Sequence, residues 1–186
     1  MKQLLLLLLA LLLMSSASSA QTRTVDPDSG VVTWETRVHG VTLSLTQILP
    51  DQARAFYLNR GMTAEAVESY ANACVYMTVL RNDEAPGVVR FRLADWSVVS
   101  GDRSRPPIGV DEWLVRLEAY ALTKAALIAF RWAQFPPEQA YQPGGDWNQG
   151  MLTTGLAPNA DFDLVARWDV AGETYEGVLR HVRCAP

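Results

Sequence analysis

Apolar and polar residues alternate most regularly near the C-terminal end of the chain, over residues 161–170. Successive side chains of a β-strand point to opposite faces, so this alternation predicts a strand with one buried face. Gly172 then predicts a turn into a last strand over residues 174–184. The apolar positions of the first strand are Phe162, Leu164, Ala166, Trp168 and Val170.

Shorter alternating or β-branched runs predict further strands earlier in the chain. Two of them flank Gly40 and are expected to form a hairpin. In the predicted strand over residues 88–99 the apolar positions change parity near Asp95, which predicts a bulge. The polar residues 21–29 are expected to be a tail or turn, and residues 101–109 a loop. The predicted strands are residues 31–38, 41–49, 74–80 and 88–99.

A change of rhythm after residue 49 predicts two short helices inserted between strands. Pro50 or Asp51 can open the first helix, which is expected to run through Asn59. Thr63 can cap the second, which is expected to run from residue 64 to about residue 73.

Residues 110–135 fit both a strand and a helix. Trp113, Val115 and Leu117 alternate as in a strand, whereas residues 121–129 have the composition of a helix. We predict a strand over residues 126–135, because apolar residues again occupy every second position there. Residues 136–159 contain several glycines and prolines and are expected to be a long connection.

Six or more strands in a chain of this length, mostly joined by turns, predict a mainly β fold. The expected architecture is an antiparallel β-sandwich or open barrel, Ig-like in size, with a short two-helix insertion. No internal repeat or second-domain boundary is visible, so a single domain is expected.

An unbroken apolar run from Leu4 to Met14 follows the positively charged Lys2 and precedes the small residues Ser19 and Ala20. This order is typical of a secretory signal peptide, and the run is too short to span a membrane. We therefore predict a signal peptide over residues 1–20 and a single exported β-rich domain over residues 21–186. The domain is expected to be periplasmic or secreted, with no stable membrane span after cleavage.

The chain carries 16 basic and 20 acidic residues, a formal net charge of −4. This balance argues against sequence-independent nucleic-acid binding, which needs a basic face. Most of the basic residues are arginines, but they are scattered along the sequence. The composition therefore selects no ligand.

Cys74 and Cys184 are the two cysteines of the chain. In an oxidising compartment they are expected to form a disulfide that ties the last strand to an interior one. The alternative is a redox or metal-binding pair, but the chain has no Cys-x-x-Cys spacing.

The segment from Tyr141 to Met151 is the predicted ligand- or partner-binding site, because a long loop on a rigid sandwich can display binding groups. Trp147 offers a flat apolar surface, which suits a sugar, a peptide or a partner protein. In the alternative interpretation, Trp147 plugs the end of the sandwich. The binding residues assigned here are Tyr141, Asp146, Trp147, Asn148 and Gln149.

The first predicted helix supplies a second candidate surface. Tyr57 and Arg60, near Phe56 and with Tyr70 on the next helix, would form an aromatic and arginine contact surface if the helices stand off the sheet. In the alternative interpretation, these side chains seat the helices on the sandwich.

A metal site is a weaker alternative. His39 and His181 with Met62, Met77 or Met151 would suit copper, which favours imidazole and thioether ligands. No clustered His or Met spacing supports such a site, so we assign no metal ligand and no cofactor.

A hydrolase is the third possibility. The sequence contains no Gly-x-Ser-x-Gly, no His-Glu-x-x-His and no phosphate-binding glycine-rich loop. A pair of carboxylates drawn from Asp51, Glu65, Glu138 and Asp146 would have to meet in three dimensions. The favoured hypothesis is therefore a non-catalytic exported binding or accessory domain that engages an envelope protein or a small ligand. A copper-handling accessory protein and a small secreted hydrolase are the alternatives.

Overall fold

Two antiparallel sheets pack face to face in the part of the chain that the computed structural model describes, residues 21–186. This confirms the predicted mainly β fold with a sandwich arrangement. The predicted signal peptide over residues 1–20 lies outside the described residues.

The first sheet has five strands, and each pairs with its neighbours in the antiparallel sense. The hairpin predicted around Gly40 is present. The expected polar tail over residues 21–29 is wrong in its first half, because residues 21–25 pair one for one with the next strand. In spatial order the strands are β1 (Gln21–Val25), β2 (Val32–Val38), β3 (Val41–Gln47), β4 (Val75–Asn82) and β9 (Asp146–Thr153).

The second sheet is built around one long strand, β10 (Asp161–Val170), whose predicted inward side chains are all buried. On one side β10 pairs with β11 (Glu173–Arg183). On its other side it pairs with two short strands in succession. The remaining strands of this sheet are β5 (Val89–Arg92), β6 (Ser97–Ser100), β7 (Arg103–Arg105) and β8 (Glu138–Tyr141).

The parity change near Asp95 marks a real interruption. A short 3-10 turn, Leu93–Asp95, separates β5 from β6 at the position where a bulge was predicted. The predicted single strand over residues 88–99 is therefore two strands with a break between them.

Helices cover the outer face of the first sheet over β4 and β9. The first two helices are the predicted insertion, and the Thr63 side chain accepts a hydrogen bond from the amide of Ala66, as expected for a cap. Among the described residues, no helix is both long enough and apolar enough to cross a membrane. The helices are α1 (Pro50–Leu58), α2 (Ala64–Ala71), α3 (Val110–Leu117) and α4 (Lys124–Ala133).

The predicted strand over residues 126–135 is wrong, because α4 occupies most of this segment. Ala126 and Phe130 are buried and lie four residues apart, which places them on one face of a helix. Ile128 and Trp132 are exposed, and Trp132 retains 83% of its accessible surface. These exposed apolar residues created an alternation that does not correspond to burial.

Two connections predicted as irregular contain strands. Residues 136–159 supply both β8 and β9, and the predicted loop over residues 101–109 supplies β7. The chain crosses from the second sheet to the first between β8 and β9, through residues 142–145.

The molecule has two apolar cores, one on each side of the first sheet. The sandwich core contains Trp34, Trp96 and Trp168, each about 1% exposed. The core under the helices contains Tyr70 and Trp113. The molecule is therefore layered as helices, first sheet and second sheet.

The Cys74–Cys184 disulfide is present, with Cα atoms 5.1 Å apart. It joins the residue before β4 to the residue after β11, and both sulfurs are buried. The predicted link between the last strand and an interior strand is confirmed.

Candidate functional site

The break between β5 and β6 borders a groove on the solvent-facing side of the second sheet. The groove has a volume of about 1000 Å³. Its walls come from β5, β7, β8, β10 and the 3-10 turn, so residues far apart in the sequence meet in it.

Trp96 closes the floor of this groove. β10 pairs with β6 through Asp163–Val165 and with β5 through Asp169–Val170. In the described part of the chain, residues 166–168 between these two stretches have no strand partner on that side. The indole Nε1 of buried Trp96 donates to the carbonyl oxygen of Arg167 across 3.0 Å. The Arg167 guanidinium in turn donates to the carbonyl oxygen of Asp95, also at 3.0 Å. These side chains replace the missing strand pairing.

Four arginines line the groove, and three of them are held by neighbouring groups. Arg92 pairs with Asp95 at 2.9 Å, and Arg167 pairs with Glu176 at 2.6 Å. Arg105 donates to the carbonyl oxygen of Thr154. The fourth is Arg90, which is exposed.

The side chain of Arg90 differs from those of the other three arginines, because it has no partner in the described part of the chain. Within the described residues, no carboxylate lies within 4.0 Å of its guanidinium and no hydrogen bond engages it. Asp169 lies opposite Arg90 in the strand register, but its carboxylate accepts from the Thr174 hydroxyl at 2.6 Å.

The groove is more basic than the chain as a whole. Its lining includes the four arginines and three acidic residues, Asp95, Glu138 and Asp169. The whole chain carries a formal charge of −4. A guanidinium presents donors in a planar fork that matches carboxylate and phosphate oxygens. The arrangement is therefore suited to an oxyanion.

The predicted binding loop is a turn followed by β9. Tyr141 is buried, and this burial raises the pKa of its hydroxyl. The Asp146 carboxylate accepts a hydrogen bond from the backbone amide of Gln142 at 2.8 Å and so closes the turn. Burial removes Tyr141 from any surface contact, and Asp146 has a structural role in the turn.

The other three residues of that segment lie side by side in β9. Trp147 is 51% exposed, Gln149 is exposed and Asn148 is half-buried. They lie on the first sheet, whereas the arginine groove lies on the second, so the structure separates the two candidate surfaces.

The second predicted surface divides into a buried part and an exposed part. Tyr57 is buried, donates to the Met151 sulfur at 3.2 Å and accepts from the Gln134 amide at 2.7 Å. Burial raises the pKa of Tyr57. Tyr70 is buried beside it and donates to Gln134 at 2.8 Å. Tyr57 and Tyr70 therefore seat the helices on the first sheet and offer no contact surface.

Arg60 stays on the surface. Its guanidinium lies 3.4 Å from the centre of the Phe56 ring and donates to the Phe56 carbonyl oxygen. Arg60 is thus exposed but already stacked within its own helix region.

Two of the five residues considered as copper ligands have other contacts. His39 stacks on Tyr175 with ring centres 4.1 Å apart, and the Met151 sulfur accepts from Tyr57. The described residues contain no group of three His, Cys, Asp or Glu side chains placed to hold a metal ion.

Two of the four candidate carboxylates, Asp51 and Asp146, are engaged in structural contacts. Asp51 forms an ion pair with Arg54 at 2.7 Å. Where carboxyl pKa values shift, they are lowered, whereas a general acid needs a raised pKa. A hydrogen bond from Ser29 lowers the pKa of Asp26, and one from Arg54 lowers that of Glu68. At Asp83, desolvation opposes the lowering but is outweighed by hydrogen bonds from Arg81 and Thr42.

The arginine groove was not predicted from the sequence. A partial signal is present in β5, where Arg90 and Arg92 occupy alternate positions and so share a face. The other two arginines come from β7 and β10, and only the sheet topology brings them near.

Comparisons with protein-family models, with curated proteins and with solved structures find no match to this chain. The groove, its charges and its unpaired arginine are therefore the observations from which a function can be argued.

Proposed function

We propose that this chain is a non-catalytic exported domain that binds a small ligand bearing a carboxylate or phosphate group in the arginine groove. The observation that carries the proposal is the unpaired Arg90, which lies beside Arg92 in a groove of about 1000 Å³. Their positions two residues apart on β5 set the two side chains about 7 Å apart on one face.

The neighbouring contacts prepare the groove for an oxyanion. An incoming anionic group can engage Arg90 without displacing an acidic partner. Asp95 holds Arg92 through its carboxylate and Arg167 through its carbonyl oxygen, so both side chains are already ordered. Ordering before binding reduces the entropy lost when the ligand arrives.

The disulfide supports the exported part of the proposal. Disulfides form and persist in oxidising compartments and are rare in reducing ones. The Cys74–Cys184 bond is therefore in keeping with a periplasmic or secreted protein.

Calorimetric titration with sodium phosphate and with sodium citrate tests the proposal and separates the two ligand chemistries. Sodium chloride at matched ionic strength is the reference. Arg90→Gln and Arg92→Gln should each weaken binding of the preferred anion by about tenfold or more, since a hydrogen bond to a charged group contributes about 1.5–3 kcal/mol.

Arg116→Gln is the matched control, because Arg116 is an exposed arginine on α3 that pairs with Glu112, in the helical layer. It removes the same charge without touching the groove. Equal binding by the control and both groove variants, or no binding beyond that of chloride, would contradict the proposal.

A further inference from the structure

β9 is the last strand of the first sheet, and its two halves differ at the outer edge. In the second half, the carbonyl oxygen of Met151 accepts from the amide of Phe135 at 2.9 Å. The carbonyl oxygen of Thr153 accepts from the amide of Ile108, also at 2.9 Å. Two other segments of the chain therefore cover this half.

The first half of the same edge is open. Residues two apart in a strand direct their backbone groups to the same side, so Trp147 and Gln149 face the edge that Met151 faces. Asn148 and Gly150, between them, face β4. Within the described residues, the amides and carbonyl oxygens of Trp147 and Gln149 have no hydrogen-bond partner on the outer edge.

We infer that this open half of β9 binds an extended segment of a partner protein, which adds to the first sheet as a short strand. Two outward amides and two outward carbonyl oxygens match the backbone of a segment about three residues long. Trp147, 51% exposed and on the helix-covered face of the sheet, would pack against an apolar side chain of the partner directly across the edge. This surface is separate from the arginine groove.

A second copy of this chain is a poorer occupant than a short segment. Antiparallel pairing of two β9 strands, Trp147 with Gln149, would extend the second copy along Met151. Phe135 already occupies the edge at Met151. Within the predicted binding segment 141–151, the inferred contact with a partner protein is made by the backbone of Trp147 and Gln149.

Panning a displayed library of random heptapeptides against the purified chain tests this inference. Enriched peptides should alternate apolar, β-branched residues with polar ones. A synthetic copy should bind wild type and Gln149→Ala with similar affinity, but bind Gln149→Pro about tenfold more weakly, because proline removes the outward amide.

Gln149→Ala is the matched control, since it shortens the same side chain and keeps the amide. Proline is tolerated at edge positions whose amide faces solvent, and far-ultraviolet circular dichroism will report whether the variant folds. A peptide N-methylated at the amides that face β9 should lose binding to unaltered protein, which makes the test independent of that variant. Failure to enrich any peptide, equal binding to both variants, or binding of the N-methylated peptide would overturn the inference.

Discussion

The indole Nε1 of Trp96 donates to the carbonyl oxygen of Arg167 across 3.0 Å, where β10 has no strand partner on that side within residues 21–186. One side chain therefore supplies a hydrogen bond to the interrupted part of the sheet. The same contact fixes the backbone of Arg167, whose guanidinium borders the groove. The hydrogen bond between Trp96 and Arg167 therefore belongs both to the second sheet and to the candidate site.

Trp96→Phe should destabilise the protein more than Trp168→Phe. Both tryptophans are buried in the sandwich core, but the Trp168 Nε1 has no hydrogen-bond partner among residues 21–186. The packing loss is similar, so the difference isolates the hydrogen bond and should be about 1–3 kcal/mol. Urea unfolding of the two variants measures it, and equal losses of stability would contradict the assigned role of Trp96.

Gly150→Ala should be strongly destabilising. A Cβ atom on Gly150 would lie 2.3 Å from the backbone nitrogen of Phe135, so the crossing segment would have to move. Overpacking of this kind costs about 1–3 kcal/mol. Gly87→Ala is the control, because its nearest contacts would be at 3.9 Å, and it should stay within about 0.5 kcal/mol of wild type. Thermal unfolding of the two variants and of wild type measures these differences in stability.

Alkaline pH should unfold the protein through its buried tyrosines. Burial raises the pKa values of Tyr57, Tyr70, Tyr76 and Tyr141, whereas tyrosines in an unfolded chain ionise at about pH 10. The folded state retains its protons longer, so its stability is full below about pH 10 and falls as the pH rises further.

Phenolate absorbance, recorded together with circular dichroism, checks this prediction. The phenolate signal of the four buried tyrosines should appear together with unfolding. Ionisation of these four near pH 10 in a protein that remains folded would show that the burial argument is wrong.

Removing the disulfide should lower stability by up to about 4–5 kcal/mol, because the bond spans 110 residues and restricts the unfolded chain. The double variant Cys74→Ala and Cys184→Ala should unfold at lower urea, and wild type in reductant should approach it. If reductant lowers the urea midpoint of the double variant as much as that of wild type, the effect does not arise from this bond.

The sandwich could be predicted where burial alternates strictly. In β10 every apolar side chain of the alternating set is buried, so the pattern in the sequence and the pattern in the structure agree. The hairpin around Gly40 and the two-helix insertion could also be predicted, since Gly40 and Thr63 mark local boundaries.

The second pair of helices was missed because apolar residues also lie on the surface. In α3, Trp113 and Leu117 are buried at helical spacing, but exposed Val115 between them imitates a strand. Local sequence does not distinguish an exposed apolar residue from a buried one.

The groove could not be predicted from the sequence for a different reason. Arg90 and Arg167 are 77 positions apart in the sequence and line the same groove because β5 pairs with β10. For Tyr57 the sequence left both a surface role and a role in seating the helices open, and the contact with Gln134 that decides between them comes from a distant segment. Tyr141 could not be recognised as an interior residue, because its burial depends on the packing of the sandwich core.

The hydrogen bonds at Met151 and Thr153 also shorten the free edge of β9. An edge strand of eight residues with free backbone groups is a template on which identical chains can stack into fibres. By covering the second half of β9 with its own residues, the chain shortens the open part of this edge to the backbone groups around Trp147 and Gln149.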